Sequence, residues 1–341
     1  MSILQNYAQA RLLRAWQQRH WLACLLWPWS LLFWLIQALR RALYAAGVIK
    51  TVVLPVPVIV VGNIFIGGTG KTPLVIWLVH QLRALGFVPG VISRGYGNNT
   101  DAVMEVTQQM LPQQAGDEPL LIAKKTSVPI MVGRNRVAAA QALLSAHPQV
   151  NVIVSDDGLQ HYALGRTIEI QLSDMRGHGN GWLLPAGPLR EPVSRKSDFY
   201  VINGAQMVTK NYFGMQFNCA HAEQLTNRNQ HLSFTELAAK KNIAAMAGIG
   251  NPQRFFDMLR AKGLTLGLTQ ALPDHFDFSY NPFESITADI ILITEKDAVK
   301  CATSTGAISQ DQRLWVVPVE ATLDSALIEN IVEKLRGHTT A

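Results

Sequence analysis

Two hydrophobic periods alternate along this chain. Val56–Val61 is continuously apolar, as a strand buried on both faces should be. Pro73–Leu85 then places Leu74, Trp77, Leu78, Leu82 and Leu85 at spacings of three and four, which predicts a helix closed by Gly86. The rhythm repeats. Val88–Ser93 reads as a strand, Pro119–Thr126 as a helix, Val128–Val132 as a strand, Arg134–Ala146 as an alanine-rich helix and Asn151–Ser155 as a buried strand. Alternation of this kind predicts an α/β fold: a parallel sheet with helices on both faces. After about Asn203 the pattern thins. Gly204–Gln230 is polar and irregular, while Asn242–Ile249, Pro252–Lys262 and Ile290–Thr294 predict strand, helix and strand of a second, smaller α/β subdomain.

The first fifty residues follow neither rhythm. Trp21 to Leu39 carries no charged residue and holds Trp21, Trp27, Trp29 and Trp34, half of the chain's 8 tryptophans. Arg11, Arg14 and Arg19 precede it, and Arg40 and Arg41 follow. The length approaches the roughly 20 residues that span a bilayer. Pro28 interrupts it, however, Ser30 and Gln37 dilute it, and tryptophan favours the headgroup boundary. A helix lying in the membrane surface fits best, beside a single span or a helix of the soluble core. The chain therefore divides into a membrane-associating helical segment (1–50), a phosphate-binding core (51–203) and the smaller subdomain (204–341).

Between the first strand and the first helix lies Val61-Gly62-Asn63-Ile64-Phe65-Ile66-Gly67-Gly68-Thr69-Gly70-Lys71-Thr72-Pro73. A glycine-rich loop running into a helix N-terminus turns backbone N–H groups toward an anion. Lysine then reaches the outer phosphates, and the Thr72 hydroxyl is placed for Mg²⁺. Phe65 stands where G-x-x-x-x-G-K-[ST] has its first glycine. The segment Phe65, Ile66, Gly67, Gly68, Thr69, Gly70, Lys71 and Thr72 is thus a nucleotide-phosphate cradle of P-loop NTPase-like type, with its family left open.

Ligands of parallel sheets collect at the carboxyl ends of the strands, and more polar groups fall there. Arg94 follows a strand and is suited to fork onto phosphate, or to sit in a surface turn. Asp117 and Glu118 open a helix, where carboxylates often serve only as dipole partners. Asp156 and Asp157 end an apolar strand, the place where such folds hold Mg²⁺. His161, close by, reads equally as a structural donor or a substrate contact. Arg190 and Glu191 lie in a proline-rich loop that alone carries no functional signal.

Composition narrows the class. At 48% hydrophobic and 16% charged over 341 residues, the chain is globular. Cys24, Cys219 and Cys301 are too few and too scattered for a disulfide framework or zinc motif. A net charge of +6 suits an acidic partner. No basic-aromatic array marks a nucleic acid as that partner. Thr294-Glu-Lys-Asp297 invites comparison with guanine-recognition sequences, but its lysine directly precedes the aspartate, which is the wrong order; it could still line a nucleotide-base pocket.

Together these segments closely resemble the tetraacyldisaccharide 4′-kinases of lipid A synthesis. The resemblance rests on Val61-Gly-Asn with Gly67-Gly-Thr-Gly-Lys-Thr-Pro, Ser93-Arg-Gly-Tyr-Gly, Gly116-Asp-Glu-Pro, Asp156-Asp-Gly-Leu-Gln-His, Leu184-Pro-Ala-Gly-Pro-Leu-Arg-Glu-Pro, Gly248-Ile-Gly-Asn-Pro, Pro273-Asp-His-Phe and Thr294-Glu-Lys-Asp-Ala-Val-Lys. Phe65 is usual in that family. The resemblance implies an ATP- and Mg²⁺-dependent kinase that phosphorylates the 4′-hydroxyl of a tetraacylated glucosamine disaccharide 1-phosphate at the cytoplasmic face of the inner membrane. It implies Asp117 as base, assisted by His275. It puts metal positions at Thr72, Asp157 and Glu191, with Asp156 near, and site-lining roles at Arg94, Gln160, His161 and Arg190. A membrane-tethered nucleotide switch without a lipid acceptor is the rival reading. The sequence sets no oligomeric state.

Overall fold

The computed structural model describes residues 16–95, 102–304 and 306–338. Helix α1 (Trp21–Ala45) is followed by β1 (Val58–Gly62), α2 (Lys71–Ala84), β2 (Pro89–Ser93), β3 (Met104–Glu105), α3 (Pro112–Ala115) and α4 (Asp117–Thr126). Next come β4 (Ile130–Val132), α5 (Arg136–Ala146), β5 (Val152–Asp156), β6 (Ile168–Asp174), β7 (Phe199–Asn203) and β8 (Tyr212–Asn218). Then follow β9 (His221–Gln224), β10 (His231–Ser233), α6 (Phe234–Ala238), β11 (Ile243–Ala247), α7 (Pro252–Ala261) and β12 (Leu268–Ala271). The chain ends with β13 (Ile290–Thr294), α8 (Glu295–Cys301), β14 (Leu314–Val317), β15 (Glu320–Leu323) and α9 (Ser325–His338).

Two compact units are interleaved along the chain. One gathers the described parts of Met1–Lys71, Gln149–Gln216 and Leu323–Ala341; the other gathers those of Thr72–Pro148 and Phe217–Thr322. This differs from the consecutive segments 1–50, 51–203 and 204–341 anticipated above. Parallel strands need crossover connections, so contact neighbours are drawn from distant stretches of sequence.

In the first unit β1 lies between β5 and β6, with β7 and β8 continuing beyond β6, all parallel. Ile59, Val60 and Val61 are wholly buried, as the unbroken apolar run requires. Register sets the polar ends side by side: Val61 opposes Asp156, Gly62 opposes Gln171, and Asp174 opposes Asn203. Four carboxyl ends thus meet next to the loop that leaves β1.

In the second unit β2 and β4 are parallel, with β3 antiparallel to β4. A six-stranded sheet has the order β10-β9-β14-β13-β11-β12. Strands β14, β13, β11 and β12 are parallel, and the β9–β10 hairpin is added antiparallel at one edge. One face packs Phe255, Phe256, Leu259 and Trp315, the other Met246, Phe278, Phe283 and Cys301.

Most anticipated elements are present with ends shifted by a residue or two. Two differences matter. Gly204–Gln230 is not irregular: it holds β8 and β9. In β8 the inward positions Phe213 and Met215 alternate with polar or small residues, so mean polarity hides a period of two. The N-terminal helix also runs straight through Pro28 to Ala45.

Helix α1 presents a narrow inward stripe to the first unit. Ala23 and Ser30 are buried, and Phe33 packs with Phe65 against Ile64, Leu183 and Leu189. Trp21, Leu25, Trp29, Leu35, Ile36 and Leu39 remain exposed. The Ser30 hydroxyl donates to the Leu183 carbonyl at 2.7 Å and accepts from the Ala186 N–H at 2.9 Å. That one hydroxyl seats the helix on the loop leading to Arg190. Ser30→Val strands both backbone groups in an apolar setting and should destabilise the protein by about 1–3 kcal/mol, measured by urea unfolding in detergent against wild type.

Candidate active site

The phosphate loop is organised from inside by one buried side chain. Asn63, directly after β1, is fully buried. Its amide nitrogen donates to the Gly67 carbonyl at 3.3 Å and to the Thr69 hydroxyl at 3.0 Å. Its amide oxygen accepts from Lys71 Nζ at 3.2 Å and from Arg190. Gly67 and Gly70 take φ values of 102° and 101°, a region that glycine enters without a Cβ penalty. Phe65 contributes packing: its ring lies under the Arg176 guanidinium at 4.7 Å, and it belongs to the apolar cluster that seats α1. Arg176 is held by Asp174 at the end of β6 and donates to the Gly68 carbonyl at 2.9 Å. Asn203, at the end of β7, donates to the Thr69 carbonyl at 2.8 Å. Strand ends therefore clamp the loop from behind.

Next to the loop the chain turns sharply after β5. Asp156 is buried, and Asp157 has φ 51°, in the left-handed region. Asp157 receives both terminal nitrogens of Arg190, at 3.1 and 3.0 Å, and lies 3.5 Å from Lys71 Nζ. Glu191 is 1% exposed and accepts from Gln160 at 3.0 Å, Tyr162 at 2.7 Å and Arg195 at 2.6 Å. Arg41 of α1 stands 4.0 Å away. Burial, the Glu191 charge and the Glu191 hydrogen bond push the Tyr162 hydroxyl up to about 12, so it stays a donor. Asp156, Asp157 and Glu191 offer only oxygens, the donor chemistry a hard cation such as Mg²⁺ takes.

The second unit carries a separate charged cluster. Asp117 opens α4 and is 4% exposed on its side chain. His275 sits at φ 59° in the loop after β12 and places Nδ1 3.1 Å from Asp117 Oδ2. Its Nε2 lies 3.4 Å from Lys296 Nζ. An ammonium has only donors and a carboxylate only acceptors, so His275 donates from Nδ1 and accepts at Nε2. Lys296 and Lys300 are one turn apart on α8, and both face Asp117, at 3.8 and 3.0 Å. Lys296 also reaches Glu118 and Asp274. Burial favours a protonated Asp117, yet the His275 hydrogen bond and the two lysine charges outweigh it. They hold the carboxyl well below its usual range. Burial works against the Lys296 charge too, but Glu118, Asp117 and Asp274 raise its pKa overall.

The structure joins Lys71, Asp157, Gln160, Arg190 and Glu191 in one network, and Asp117 with His275 in another. Arg94 is exposed just past β2. The His161 carbonyl accepts from Arg166 at 2.5 Å. Asp297 departs from the base-pocket reading. It is buried and turned to the hydroxyl of Thr294, the N-cap of α8, at 2.7 Å and to the Gly248 N–H at 3.1 Å. Sequence reasoning overlooked Asn63, Tyr162, Arg176, Arg195, Lys296 and Lys300 as parts of these sites. The i, i+4 spacing of Lys296 and Lys300 past a buried strand was the one available signal.

A loop built around nucleotide phosphates next to an acidic strand end, in a chain that also keeps a buried carboxylate ionised, defines a phosphate-loop kinase. The family model for tetraacyldisaccharide-1-P 4′-kinase matches residues 22–336. The tetraacyldisaccharide 4′-kinase of Janthinobacterium sp. (strain Marseille) is 56% identical, with 100% of both chains covered. That of Herminiimonas arsenicoxydans is 55% identical, with 96% of each covered. The crystal structure of LpxK from Aquifex aeolicus in complex with ATP superposes with TM-score 0.75 at 28% identity, covering 93% of this chain and 99% of that one. The chain belongs to the tetraacyldisaccharide-1-P 4′-kinase family. It is accordingly an ATP- and Mg²⁺-dependent kinase of lipid A synthesis with a glycolipid acceptor.

Folding lowers the Asp117 pKa from 3.8, so its ionised form contributes stability above that value and loses it as pH falls toward the folded pKa. The stability margin of wild type over Asp117→Asn should be full above about pH 4 and shrink below it. Urea unfolding of both proteins across that range tests this; a margin unchanged at the acid end contradicts it.

Proposed function

We propose that this chain transfers the γ-phosphate of ATP to the 4′-hydroxyl of a tetraacylated glucosamine disaccharide 1-phosphate, with Asp117 as the base. The observation that carries this role is the Asp117 environment: a buried carboxylate kept ionised by two lysines and oriented by a histidine. It is in the proton-accepting form at any working pH. Its low basicity suits a loose phosphoryl-transfer transition state, in which the hydroxyl gives up its proton late. His275 orients Asp117 through Nδ1. Lys71 and Arg190 neutralise the phosphates; both already lean on Asp157 and Asn63, so little reorganisation is needed when anionic oxygens arrive. Thr72, Asp156, Asp157 and Glu191 would hold Mg²⁺, which neutralises charge developing on the phosphates. Gln160 and Tyr162 fix the Glu191 carboxylate. Arg94 and His161 serve as site-lining polar groups.

The enzyme works, in this reading, at the cytoplasmic face of the inner membrane, with α1 lying flat on it. The inward stripe of α1 runs from Ala23 through Ser30 to Tyr44, packed against the first unit or its side chains. A helix attached to a polar unit along its whole length suits a surface position better than a span. An acceptor with four acyl chains stays in the bilayer, at about 0.8 kcal/mol per buried methylene. The enzyme therefore has to go to it.

Asp117→Ala should lower turnover by several orders of magnitude and leave ATP affinity nearly unchanged; equal loss of both would sink the base role. ATP turnover should depend on the glycolipid acceptor, whereas acceptor-independent phosphate release would favour a nucleotide switch. Polar replacement of exposed Trp29, Leu35 and Ile36, which spares the Ser30 and Phe33 seat, should raise the apparent KM for lipid far more than that for ATP. An unchanged lipid KM would make α1 merely structural.

A further inference from the structure

The β9–β10 hairpin lies outside both clusters and gathers two imidazoles and a carboxylate on one face. His221 and Glu223 are two residues apart on β9, so their side chains point the same way. His231 on β10 is the direct cross-strand partner of Glu223. One ligand atom from each of the three lies within 4.8 Å of the other two. His221 Nε2 is 3.2 Å from Glu223 Oε1, and the His221 and His231 ring centroids are 4.4 Å apart.

We propose that His221, Glu223 and His231 form a binding site for a divalent transition metal, with Zn²⁺ the best fit. Two ligands about 2.0–2.1 Å from one tetrahedral ion are about 3.3–3.4 Å from each other. The His221–Glu223 separation is close to that value. The third ligand needs only a side-chain rotation on an exposed edge strand. Two imidazoles with one carboxylate suit zinc, and they suit Mg²⁺ poorly because it prefers all-oxygen ligands.

The second carboxylate oxygen supports the assignment. Arg228, in the turn between the strands, forms an ion pair with the carboxylate, its Nε 2.6 Å from Glu223 Oε2. It leaves Oε1 to the metal and sets a charged partner on the other oxygen, as outer partners of metal ligands do. Its positive charge lowers the site's affinity relative to an unopposed His–His–Glu set. Without a metal the three groups form a hydrogen bond and a ring contact, and that is the competing description of the cluster.

A metal here has a mechanical consequence. β10 is a three-residue edge strand joined to the sheet only through β9. Short edge hairpins are marginal on their own. An ion bridging β9 and β10 fixes their register and, through Ser233, the capped start of α6, where Ser233 Oγ accepts from the Glu236 N–H. The site is a clip for the sheet edge, and it takes no part in phosphoryl transfer.

The test uses the full chain in detergent with excess Mg²⁺, so that the oxygen-rich catalytic positions are occupied. Zn²⁺ is titrated in competition with a chromophoric chelator. Wild type should bind one equivalent that the double variant His221→Ala/His231→Ala lacks. The near-isosteric Glu223→Gln should weaken that equivalent at least about tenfold. Co²⁺ should give tetrahedral d–d bands in wild type only. Kinase activity of the variants with Mg²⁺·ATP should match wild type, which shows that they fold. Equal zinc stoichiometry and affinity in wild type and in Glu223→Gln would overturn the proposal, even if the double variant failed to fold.

Discussion

The amide of Asn63 is the joint on which the first unit turns. It is buried at the end of the central strand, and each of its polar atoms is engaged. The nitrogen closes the phosphate loop onto Gly67 and Thr69; the oxygen gathers Lys71 and Arg190. An amide is an uncharged planar group that offers two donor hydrogens on one atom and two acceptor lone pairs on the other. Aspartate would satisfy the lysine and arginine but repel the Gly67 carbonyl, and leucine would leave buried donors and acceptors unmet at about 1–3 kcal/mol each. The loop is thus preformed before any phosphate arrives.

The second unit solves the opposite problem, that of keeping a charge inside. A carboxylate at the start of α4 is favoured by the helix dipole, but burial outweighs that modest effect. The His275 hydrogen bond, Lys296 and Lys300 supply the balance, and α8, which carries both lysines, is anchored. The Thr294 hydroxyl caps its first turn by accepting from the Asp297 N–H, and the Asp297 carboxylate accepts from that hydroxyl and from the Gly248 N–H. Burial raises the Asp297 pKa, with these hydrogen bonds opposing it. The motif Thr294-Glu-Lys-Asp thus has two functions: its buried aspartate ties the helix start to Gly248, and its lysine faces Asp117.

Much of this was legible in the sequence. The phosphate loop, the acidic strand end and the alternation of β1, α2, β2 and β5 each announce themselves locally, because unbroken apolar runs and glycine-lysine-threonine have few other uses. Asn63 was legible only as part of a motif, since a buried asparagine looks like any turn residue until its partners are known. Arg176, Arg195 and Lys300 were hidden for the same reason: their partners lie far along the chain. The strands β6 to β8 were missed where alternation replaced continuous hydrophobicity. Helix α1 was legible as one long apolar helix, but its inward stripe of Ser30 and Phe33 was invisible without the loop it seats.

That stripe connects the apolar helix to the chemistry. Phe33 touches the same cluster as Phe65, Ser30 holds the Leu183–Ala186 loop, and Arg41 approaches Glu191. A conventional phosphate loop would place glycine at position 65. Here an aromatic side chain is kept, wedged between α1 and the arginine that clamps Gly68. The departure from the general motif therefore has a physical reason. The loop gives up one glycine's freedom and gains a packed contact to α1, so the phosphate cradle rests directly on the helix that carries the exposed apolar face.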